Sequence, residues 1–297
     1  MLRYLLFLLL PFQLLSQNRY QDRVYDAVDS STYEYAVKDK ESLKLDLYQP
    51  SGDTLSQRPV MVFIHGGGFS IGARDEAEMV RLSRNAAQRG YVVASISYRL
   101  TRKGKGFGCT TPSEDKIKAF KDAGEDLLDA LCFLDDHQED FKINMEQLIL
   151  GGSSAGAEAM LSVAYNKELF FKGEEKYNSI KPAAVAGLAG AVLDIDLITE
   201  QNAVPGIFFH GTKDPLVPYG SASHHYCSDE KPGFLILHGS KTLAGRLKEL
   251  DSSFFLYSVK DAGHDIFEIT DKQLQLIFDF MHTVVIKGES LQSEVTE

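Results

Sequence analysis

Short runs of β-branched and aromatic residues alternate along this chain with longer helical patterns, and this alternation restricts its possible folds more than any other feature. The runs at residues 60–64 and 91–96 are apolar without a break, as expected of strands buried on both faces. Between them, residues 76–89 have helical spacing and end at Gly90. Strands and helices in this order indicate β-α-β units and an α/β protein with a mostly parallel central sheet.

The same alternation continues over most of the 297 residues. Two half-exposed runs, at residues 33–37 and 43–48, predict an antiparallel edge of the sheet. Later apolar runs predict strands at residues 148–150, 183–192, 206–209 and 254–259. Helical patterns predict helices at residues 115–136, 155–165, 241–250 and 266–285. We expect one domain at residues 33–288, with helices on both faces of the sheet. An extension at residues 17–32 precedes this domain, and a frayed polar tail at residues 289–297 follows it.

The composition excludes several classes of function. Hydrophobic residues make up 44% of the chain and charged residues 25%, which is typical of a globular protein. The 42 acidic residues outnumber the 31 basic ones, and the net charge is −11. No basic stripe is present, so we expect neither a nucleic-acid partner nor an anionic membrane surface as a partner.

The first 16 residues have the organisation of an export signal. They contain Arg3, a nearly unbroken apolar run at residues 5–10 and a polar exit at Ser16. The run is too short for a membrane span, which takes roughly 20 apolar residues, and it matches a secretory signal peptide. We therefore expect residues 1–16 to be removed and the mature protein, without a membrane span, to be periplasmic or secreted.

Export would place the three cysteines in an oxidising compartment, where one disulfide and one free thiol are expected. We predict a disulfide between Cys109 and Cys132, because the loop at residues 104–112 precedes the helix that carries Cys132 and could fold back on it. The cysteine spacing does not favour a zinc site, and we expect no metal and no cofactor.

Ser154 lies in the pattern Gly152-x-Ser154-x-Gly156, directly after a predicted strand and before a predicted helix. In a nucleophile elbow with this pattern, a sharp turn exposes the serine hydroxyl and the glycines let strand and helix approach closely. A serine at this position would also suit a helix N-cap. The pattern therefore needs support from other segments of the chain.

A glycine-rich segment, His-Gly-Gly-Gly-Phe at residues 65–69, follows the strand predicted at residues 60–64. Consecutive glycine N–H groups can bind the negatively charged oxygen of a tetrahedral intermediate. A phosphate-binding turn is the alternative, but neither of the usual glycine-rich phosphate motifs is present. This segment therefore favours an oxyanion site.

An acid and a base follow two later strands. Asp214 comes after the strand at residues 206–209, and His264 comes after the strand at residues 254–259. Open α/β sheets gather their sites at the carboxyl ends of parallel strands. The order Ser154, Asp214, His264 is that of a hydrolase triad, in which a histidine takes the proton of the serine and a carboxylate orients the histidine.

Other residues compete for these roles. We interpret His65 and His210 as structural. Four further carboxylates are alternatives to Asp214, namely Asp194, Asp196, Asp261 and Asp265.

Together these segments resemble the α/β-hydrolase superfamily, and within it the hormone-sensitive-lipase-like esterases and the bacterial feruloyl or acetylxylan esterases. The resemblance covers residues 43–286, and the matching positions are residues 65–69, 97–100 (Ser-Tyr-Arg-Leu) and 152–156, with Asp214 and His264. It implies a single α/β-hydrolase domain. Only about 50 residues separate Gly156 from Gly211, so we expect a minimal lid.

The resemblance also implies the roles of individual residues. Ser154 would be the nucleophile, His264 the base and Asp214 its orienting acid. The oxyanion hole would consist of the backbone N–H groups of Gly67, Gly68 and Ala155. We also expect three residues to contact the substrate, namely Phe69, Ser153 and Tyr219.

Residues 219–238 form an insertion after the acid. They contain a polar cluster of His224, His225, Asp229 and Glu230. A metal site is one interpretation, but the absence of zinc-like spacing favours a solvated loop.

The sequence thus predicts an exported serine carboxylesterase whose partner is a small-molecule or carbohydrate ester, with carbohydrate-linked acetyl or feruloyl esters as one option. A peptidase or thioesterase with the same triad is an alternative, because triad chemistry serves any acyl group. A catalytically silent binding protein of the same fold is the other.

Overall fold

A computed structural model describes residues 19–265 and 269–297. The strands are β1 (Val28–Lys38), β2 (Glu41–Pro50), β3 (Arg58–Ile64), β4 (Val92–Ile96), β5 (Ile143–Ser153), β6 (Ala184–Leu188), β7 (Ala191–Val192), β8 (Gly206–Gly211), β9 (Ser221–Ser223), β10 (Ile236–Gly239), β11 (Phe254–Val259) and β12 (Gln292–Thr296). The α-helices are α1 (Ala77–Ala87), α2 (Ser113–Asp136), α3 (Gln138–Phe141), α4 (Ala155–Tyr165), α5 (Lys167–Phe171), α6 (Ser240–Glu249) and α7 (Asp271–Met281). Short 3₁₀ turns lie at Glu175–Tyr177 and His224–Tyr226, and a π-helical turn lies at His282–Ile286.

Nine of these strands form one central sheet, in the order β1-β2-β4-β3-β5-β6-β8-β11-β12. Strand β2 is antiparallel to both of its neighbours, β1 and β4. All other neighbours in this sheet pair in parallel. The predicted mostly parallel sheet with an antiparallel edge is therefore confirmed.

The central strands are buried on both faces because helices cover both sides of the sheet. In β3, Val60 and Val62 belong to one core layer, while Met61 and Phe63 belong to the other. Buried side chains of α2, α4 and α6 complete the first layer, and those of α1 and α7 complete the second. Full burial of such an apolar side chain stabilises the fold by about 1.5–3 kcal/mol, so these layers hold the strand ends of the sheet in place.

The prediction of a frayed tail at residues 289–297 is wrong. Strand β12 pairs in parallel with β11 and extends the sheet at its far edge. Val295 packs against the core, and Glu294 forms an ion pair of 2.5 Å with Lys241. The side chains of β12 alternate between exposed and half-buried, so the alternation of polar residues in this segment is compatible with a strand that has one exposed face.

The predicted boundaries at the N-terminus also change. Strand β1 begins at Val28, inside the segment predicted as an extension, and Arg19 forms a 2.5 Å ion pair with Asp53. The predicted strand at residues 183–192 divides into β6 and β7, which lie in different sheets. The signal peptide and the start of the helix predicted at 266–285 lie outside the described residues. No helix in the described ranges is long and apolar enough to cross a membrane.

The predicted disulfide between Cys109 and Cys132 is wrong, because Cys109 is bonded to Cys227 instead. Cys132 has a free thiol, whose Sγ lies 3.5 Å from the carbonyl oxygen of Lys176. Cys109 lies just before the start of α2, and a helix rises 1.5 Å per residue, so Cys132 is about 28 Å further along. The loop that carries Cys109 instead packs against the insertion, where the N–H of Gly233 donates to the Cys109 carbonyl.

We expect Cys227→Ser to lower the free energy of unfolding by about 2–4 kcal/mol, because the disulfide joins residues 118 positions apart and restricts the unfolded chain. Chemical denaturation of the oxidised protein would measure this loss. The matched control is Cys132→Ser, which removes a thiol that is not in the disulfide and should change stability by no more than about 0.5 kcal/mol. Three free thiols in denatured, unreduced protein would contradict the assignment.

Candidate active site

Ser154 occupies a strained turn between β5 and α4. Its backbone has φ 50° and ψ −124°, a conformation that non-glycine residues rarely adopt. A Cβ atom at Gly156 would lie 2.3 Å from the carbonyl oxygen of Ile64, so only glycine lets α4 approach β3 this closely. The turn is held by the Ser154 N–H, which donates to Leu188 O at 2.8 Å. The predicted elbow is therefore present, and strain of this kind is common at functional sites.

Three loops bring a serine, a histidine and a carboxylate into one line. Ser154 Oγ lies 2.7 Å from His264 Nε2, and His264 Nδ1 lies 2.6 Å from Asp214 Oδ2. Because an ionised carboxylate only accepts hydrogen bonds, Nδ1 is the donor and Nε2 is left to accept the serine proton. The three residues follow β5, β8 and β11, and the parallel sheet places the ends of these strands at the same edge.

Asp214 is buried and accepts several hydrogen bonds in addition to that from His264. Its Oδ1 accepts from the N–H groups of Leu216 at 2.8 Å and Val217 at 3.0 Å. Burial by itself raises the pKa of Asp214, but hydrogen bonds from His210 and His264 and from the Leu216 N–H lower that pKa well below its ordinary value. The carboxylate therefore stays ionised at any pH at which His264 could work as a base.

His210 supports this carboxylate. Its Nε2 lies 3.3 Å from Asp214 Oδ2 and 3.1 Å from the carbonyl oxygen of Val217, and its Nδ1 lies 2.8 Å from Ser240 Oγ. The side chain is completely buried. The sequence predicts a structural histidine here, but not its contact with Asp214, because that contact depends on the path of the loop after β8.

The glycine segment after β3 lies opposite the serine. Gly67 has φ 105°, and a Cβ atom there would lie 2.1 Å from the carbonyl oxygen of Ile71. Within the described chain, the N–H groups of Gly67, Gly68 and Ala155 donate to no backbone carbonyl. These three residues and Ser154 line one cavity of about 430 Å³. The residues expected to form the oxyanion hole are thus brought together with the serine.

His65, the first residue of the glycine-rich segment, is buried and contacts Tyr98 and the Gly66 carbonyl. Its side chain is 2% exposed and its ring stacks on Tyr98, with 4.5 Å between ring centroids. Its Nδ1 lies 2.7 Å from the carbonyl oxygen of Gly66. Burial lowers the pKa of His65. These contacts are those of a structural histidine, as predicted.

The structure brings one of the three predicted substrate-contact residues to the cavity. Ser153 lines it. Neither Phe69 nor Tyr219 is among the described residues that line this cavity, so a contact of either with the substrate stays a prediction. Phe69 is fully buried in an aromatic cluster that includes Phe107, and Tyr219 turns its hydroxyl to Ser258 Oγ at 2.6 Å.

The alternative carboxylates either have other partners or, like Asp196, are exposed. Asp261 forms a 2.7 Å ion pair with Lys213, and Asp194 Oδ1 accepts from the N–H of Asp196. Asp265 is exposed. The carboxylate at the histidine is therefore that of Asp214.

The insertion at residues 219–238 forms one wall of the cavity. Its strand β10 pairs with both β9 and β7 in a small antiparallel sheet, and the turn between β9 and β10 carries His224 and His225 into the cavity lining. The interpretation of this cluster as a solvated loop is wrong for His224, which is 1% exposed. Burial, together with repulsion from His224 and Lys116, lowers the pKa of His225 to about 4. Across the described ranges, no group of three or more His, Cys, Asp or Glu side chains could hold a metal ion.

A buried carboxylate that the sequence predictions missed also lines the cavity. Glu158 lies four residues after Ser154 on α4 and is 2% exposed. It is the one charged residue of Ala155–Tyr165, an otherwise apolar helix. A single charged residue in an otherwise apolar helix is the sequence feature that could have identified Glu158, because a charge is seldom placed in a fully buried helix without a partner or a role.

The sheet, the strained serine turn after β5 and the acid and base after later strands together define an α/β-hydrolase fold. The BD-FAE family model matches residues 45–200, just over half of the chain, and the chain belongs to the BD-FAE family. The matched segment contains the glycine segment and Ser154. Asp214 and His264 lie beyond it, so their placement depends on the structure.

Relatives and solved structures agree with this assignment. Carboxylesterase 1C of Rattus norvegicus is 31% identical over 137 residues, which is 45% of this chain and 24% of that protein. Gut esterase 1 of Caenorhabditis elegans is 28% identical over 121 residues, which is 41% and 20% respectively. The chain therefore spans less than a quarter of the length of these relatives. Thermogutta terrifontis esterase 2, phosphorylated by paraoxon, matches with a TM-score of 0.64 at 19% identity over 86% of this chain and 94% of that one, which shows a shared fold.

Proposed function

We propose that this protein is a serine carboxylesterase that hydrolyses acyl esters of small or carbohydrate-linked alcohols. One observation carries the proposal: the continuous chain of contacts from Ser154 Oγ through His264 to Asp214, which faces unpaired N–H groups in a cavity. A serine hydroxyl is a weak nucleophile, and an adjacent neutral imidazole oriented by a carboxylate is what activates it.

The chemistry follows from this geometry. His264 Nε2 accepts the Ser154 proton as Oγ attacks the ester carbonyl, and the N–H groups of Gly67, Gly68 and Ala155 bind the resulting oxyanion. The protonated imidazole, held by Asp214, then donates its proton to the departing alcohol, which leaves an acyl-enzyme. Water attacks the acyl-enzyme with His264 again as the base, which releases the acid and restores Ser154.

The relatives support ester hydrolysis over the other reactions of a triad. The curated matches are a carboxylesterase and a gut esterase. A structure of Thermogutta terrifontis esterase 2 is described as butyrate bound, and it has the same fold with a TM-score of 0.64. A cavity of about 430 Å³ suits a small ester or one sugar unit with its acyl group.

Two experiments test the proposal. A fluorophosphonate probe should add one label per chain at Ser154, identified by mass spectrometry of peptides, and absence of labelling would favour a silent binding protein. The second is a panel of short-chain acyl esters, thioesters and aminopeptidase substrates. We expect kcat/KM to be highest for oxygen esters, and a preference for peptides or thioesters would instead support the alternative hydrolases.

We also propose that the protein is exported. The signal-like residues 1–16 are the main support. The Cys109–Cys227 disulfide agrees with an oxidising compartment, because such bonds are rare in reducing cytosol. N-terminal sequencing of the protein from a periplasmic or secreted fraction should start close to Gln17, whereas recovery of the intact Met1 chain from cytosol would contradict export.

A further inference from the structure

Two buried polar atoms in the cavity wall have no hydrogen-bond partner among the described residues. They are Oε1 of Glu158 and Nδ1 of His224. The two side chains are 2% and 1% exposed, and both line the cavity that contains Ser154. A buried polar atom without a hydrogen bond is unfavourable, so a group that enters the cavity and bonds to these atoms would be stabilised there.

Both unpaired atoms are acceptors. His224 Nε2 lies 3.3 Å from Glu158 Oε1 without the alignment of a full hydrogen bond, and this contact favours the tautomer that carries its proton on Nε2. Oε1 therefore keeps the capacity to accept a hydrogen bond from another group. Nδ1 then has a lone pair and no proton. Glu158 and His224 therefore contribute two acceptors to the residues that line the cavity, and the matching ligand brings hydrogen-bond donors.

Both residues are held in place by the structure around them. Glu158 is in the first turn of α4, where its N–H donates to Ser154 O at 2.9 Å, so its position is tied to that of the nucleophile. His224 donates its N–H to Leu235 O at 2.8 Å, and its ring packs edge-on against Phe107 with 5.4 Å between centroids. A binding site that is fixed in advance loses little entropy when the ligand binds.

The charges around the cavity select the kind of donor. Three carboxylates line it, those of Glu76, Glu78 and Glu158, and no Lys or Arg is among the described lining residues. An acyl group or alcohol with a negative charge is therefore disfavoured. Lys116 is fully buried, is not among the described residues that line the cavity, and interacts electrostatically with Glu158. Because Glu158 already has this countercharge, a neutral donor is favoured over an ammonium group.

We propose that Glu158 and His224 form a subsite that binds a hydroxyl group of the ester substrate and so selects hydroxyl-bearing esters. The inference rests on the proposed esterase function and adds to it the two residues that set specificity. They act by accepting hydrogen bonds from the substrate and take no part in proton transfer at Ser154.

The test compares pairs of esters that differ by hydroxyl groups. 2,3-Dihydroxypropyl butyrate against propyl butyrate probes the alcohol side, and 4-nitrophenyl 3-hydroxybutyrate against 4-nitrophenyl butyrate probes the acyl side. For each pair, the measured quantity is kcat/KM for the hydroxylated ester divided by kcat/KM for the ester without the hydroxyl. For one of these pairs, we expect Glu158→Leu to reduce this ratio by about tenfold or more, because hydrogen bonds to charged groups are stronger than those between neutral groups. His224→Leu should reduce the same ratio.

Controls separate this role from a purely structural one. The ratio is measured on one protein sample, so it does not depend on the fraction that folds, and Glu158→Gln provides an isosteric variant that should give a smaller reduction. Glu78→Gln removes the same charge from a cavity residue whose oxygens are bonded to Arg81, and it should leave the ratio within about twofold of wild type.

The outcomes distinguish the two proposals. Wild-type protein that hydrolyses none of the four esters would overturn the esterase function, and the subsite with it. Activity whose ratio is the same in wild type and both leucine variants would overturn the subsite alone and would make Glu158 and His224 a structural pair. A higher kcat/KM for choline butyrate than for the dihydroxypropyl ester would also overturn the proposal, because the subsite would then bind cations.

Discussion

Ser154→Ala is expected to lower kcat for a short-chain ester by about six orders of magnitude, because the proposed mechanism forms the acyl-enzyme on the Ser154 hydroxyl. The remaining rate should come from binding and from the N–H groups of the oxyanion site. With 4-nitrophenyl butyrate as substrate, stopped-flow assays would measure the wild-type rate and long-time assays would measure the rate of the variant. The variant should also lose labelling by the fluorophosphonate probe.

The control for this variant is Ser162→Ala. Ser162 is on the same helix, and its hydroxyl donates to Glu158 O at 2.7 Å, away from the reacting atoms. It should keep kcat within about threefold of wild type while changing stability slightly. Turnover by purified Ser154→Ala at the wild-type rate would rule out Ser154 as the nucleophile.

Asp214→Asn is expected to lower kcat by about four orders of magnitude. An amide in place of the carboxylate can donate to His264 Nδ1, which would favour the tautomer with its proton on Nε2 and leave no acceptor for the Ser154 hydrogen. The amide also cannot stabilise the positive imidazole that forms during the reaction. Steady-state kinetics, together with the rate of fluorophosphonate labelling, would show whether the loss lies in the activation of the serine.

Asp261→Asn provides the matched comparison. That carboxylate lies near His264 in sequence, but it pairs with the exposed Lys213. Its replacement should change kcat by less than about threefold, as for most surface substitutions. A loss larger for Asp261→Asn than for Asp214→Asn would mean that another carboxylate orients His264 in the working enzyme.

The insertion at residues 219–238 adds a polar wall to the cavity that contains Ser154. It closes one side of the cavity, contributes His224 and His225, and is joined by the Cys109–Cys227 disulfide to the loop before α2. A wall fixed in this way can hold a polar subsite in register with the serine. In the proposed subsite, substrate selection would depend on this segment together with α4.

The sequence predicted the sheet and the position of the serine well, for physical reasons that can be stated. Continuous apolar runs such as residues 60–64 are typical of strands covered on both faces, and their alternation with helical patterns favours a parallel sheet. The glycines around Ser154 are required by the close approach of strand and helix, so this turn is visible in the residues themselves. Asp214 and His264 were found because each follows a strand whose end lies at the same edge of the sheet.

Other features could not be predicted from local patterns. The predicted Cys109–Cys132 bond assumes that the loop before α2 folds back on that helix, but the length of α2 keeps the two cysteines apart. The sequence does not show that Phe69 packs against Phe107, or that the Tyr219 hydroxyl lies at Ser258 Oγ. Side-chain direction in a loop depends on the elements packed around it, and no periodicity reports that.

The amino-acid sequence by itself determined the order of strands and helices, the strained serine turn and the residue types available for proton transfer, because each follows from burial or backbone geometry over a few neighbouring residues. Only the tertiary structure decided which cysteines bond, which aromatic residues reach the cavity, and that Glu158 meets His224 beside the serine. These contacts join segments far apart in the chain, and their formation depends on how the helices and the insertion pack on the finished sheet.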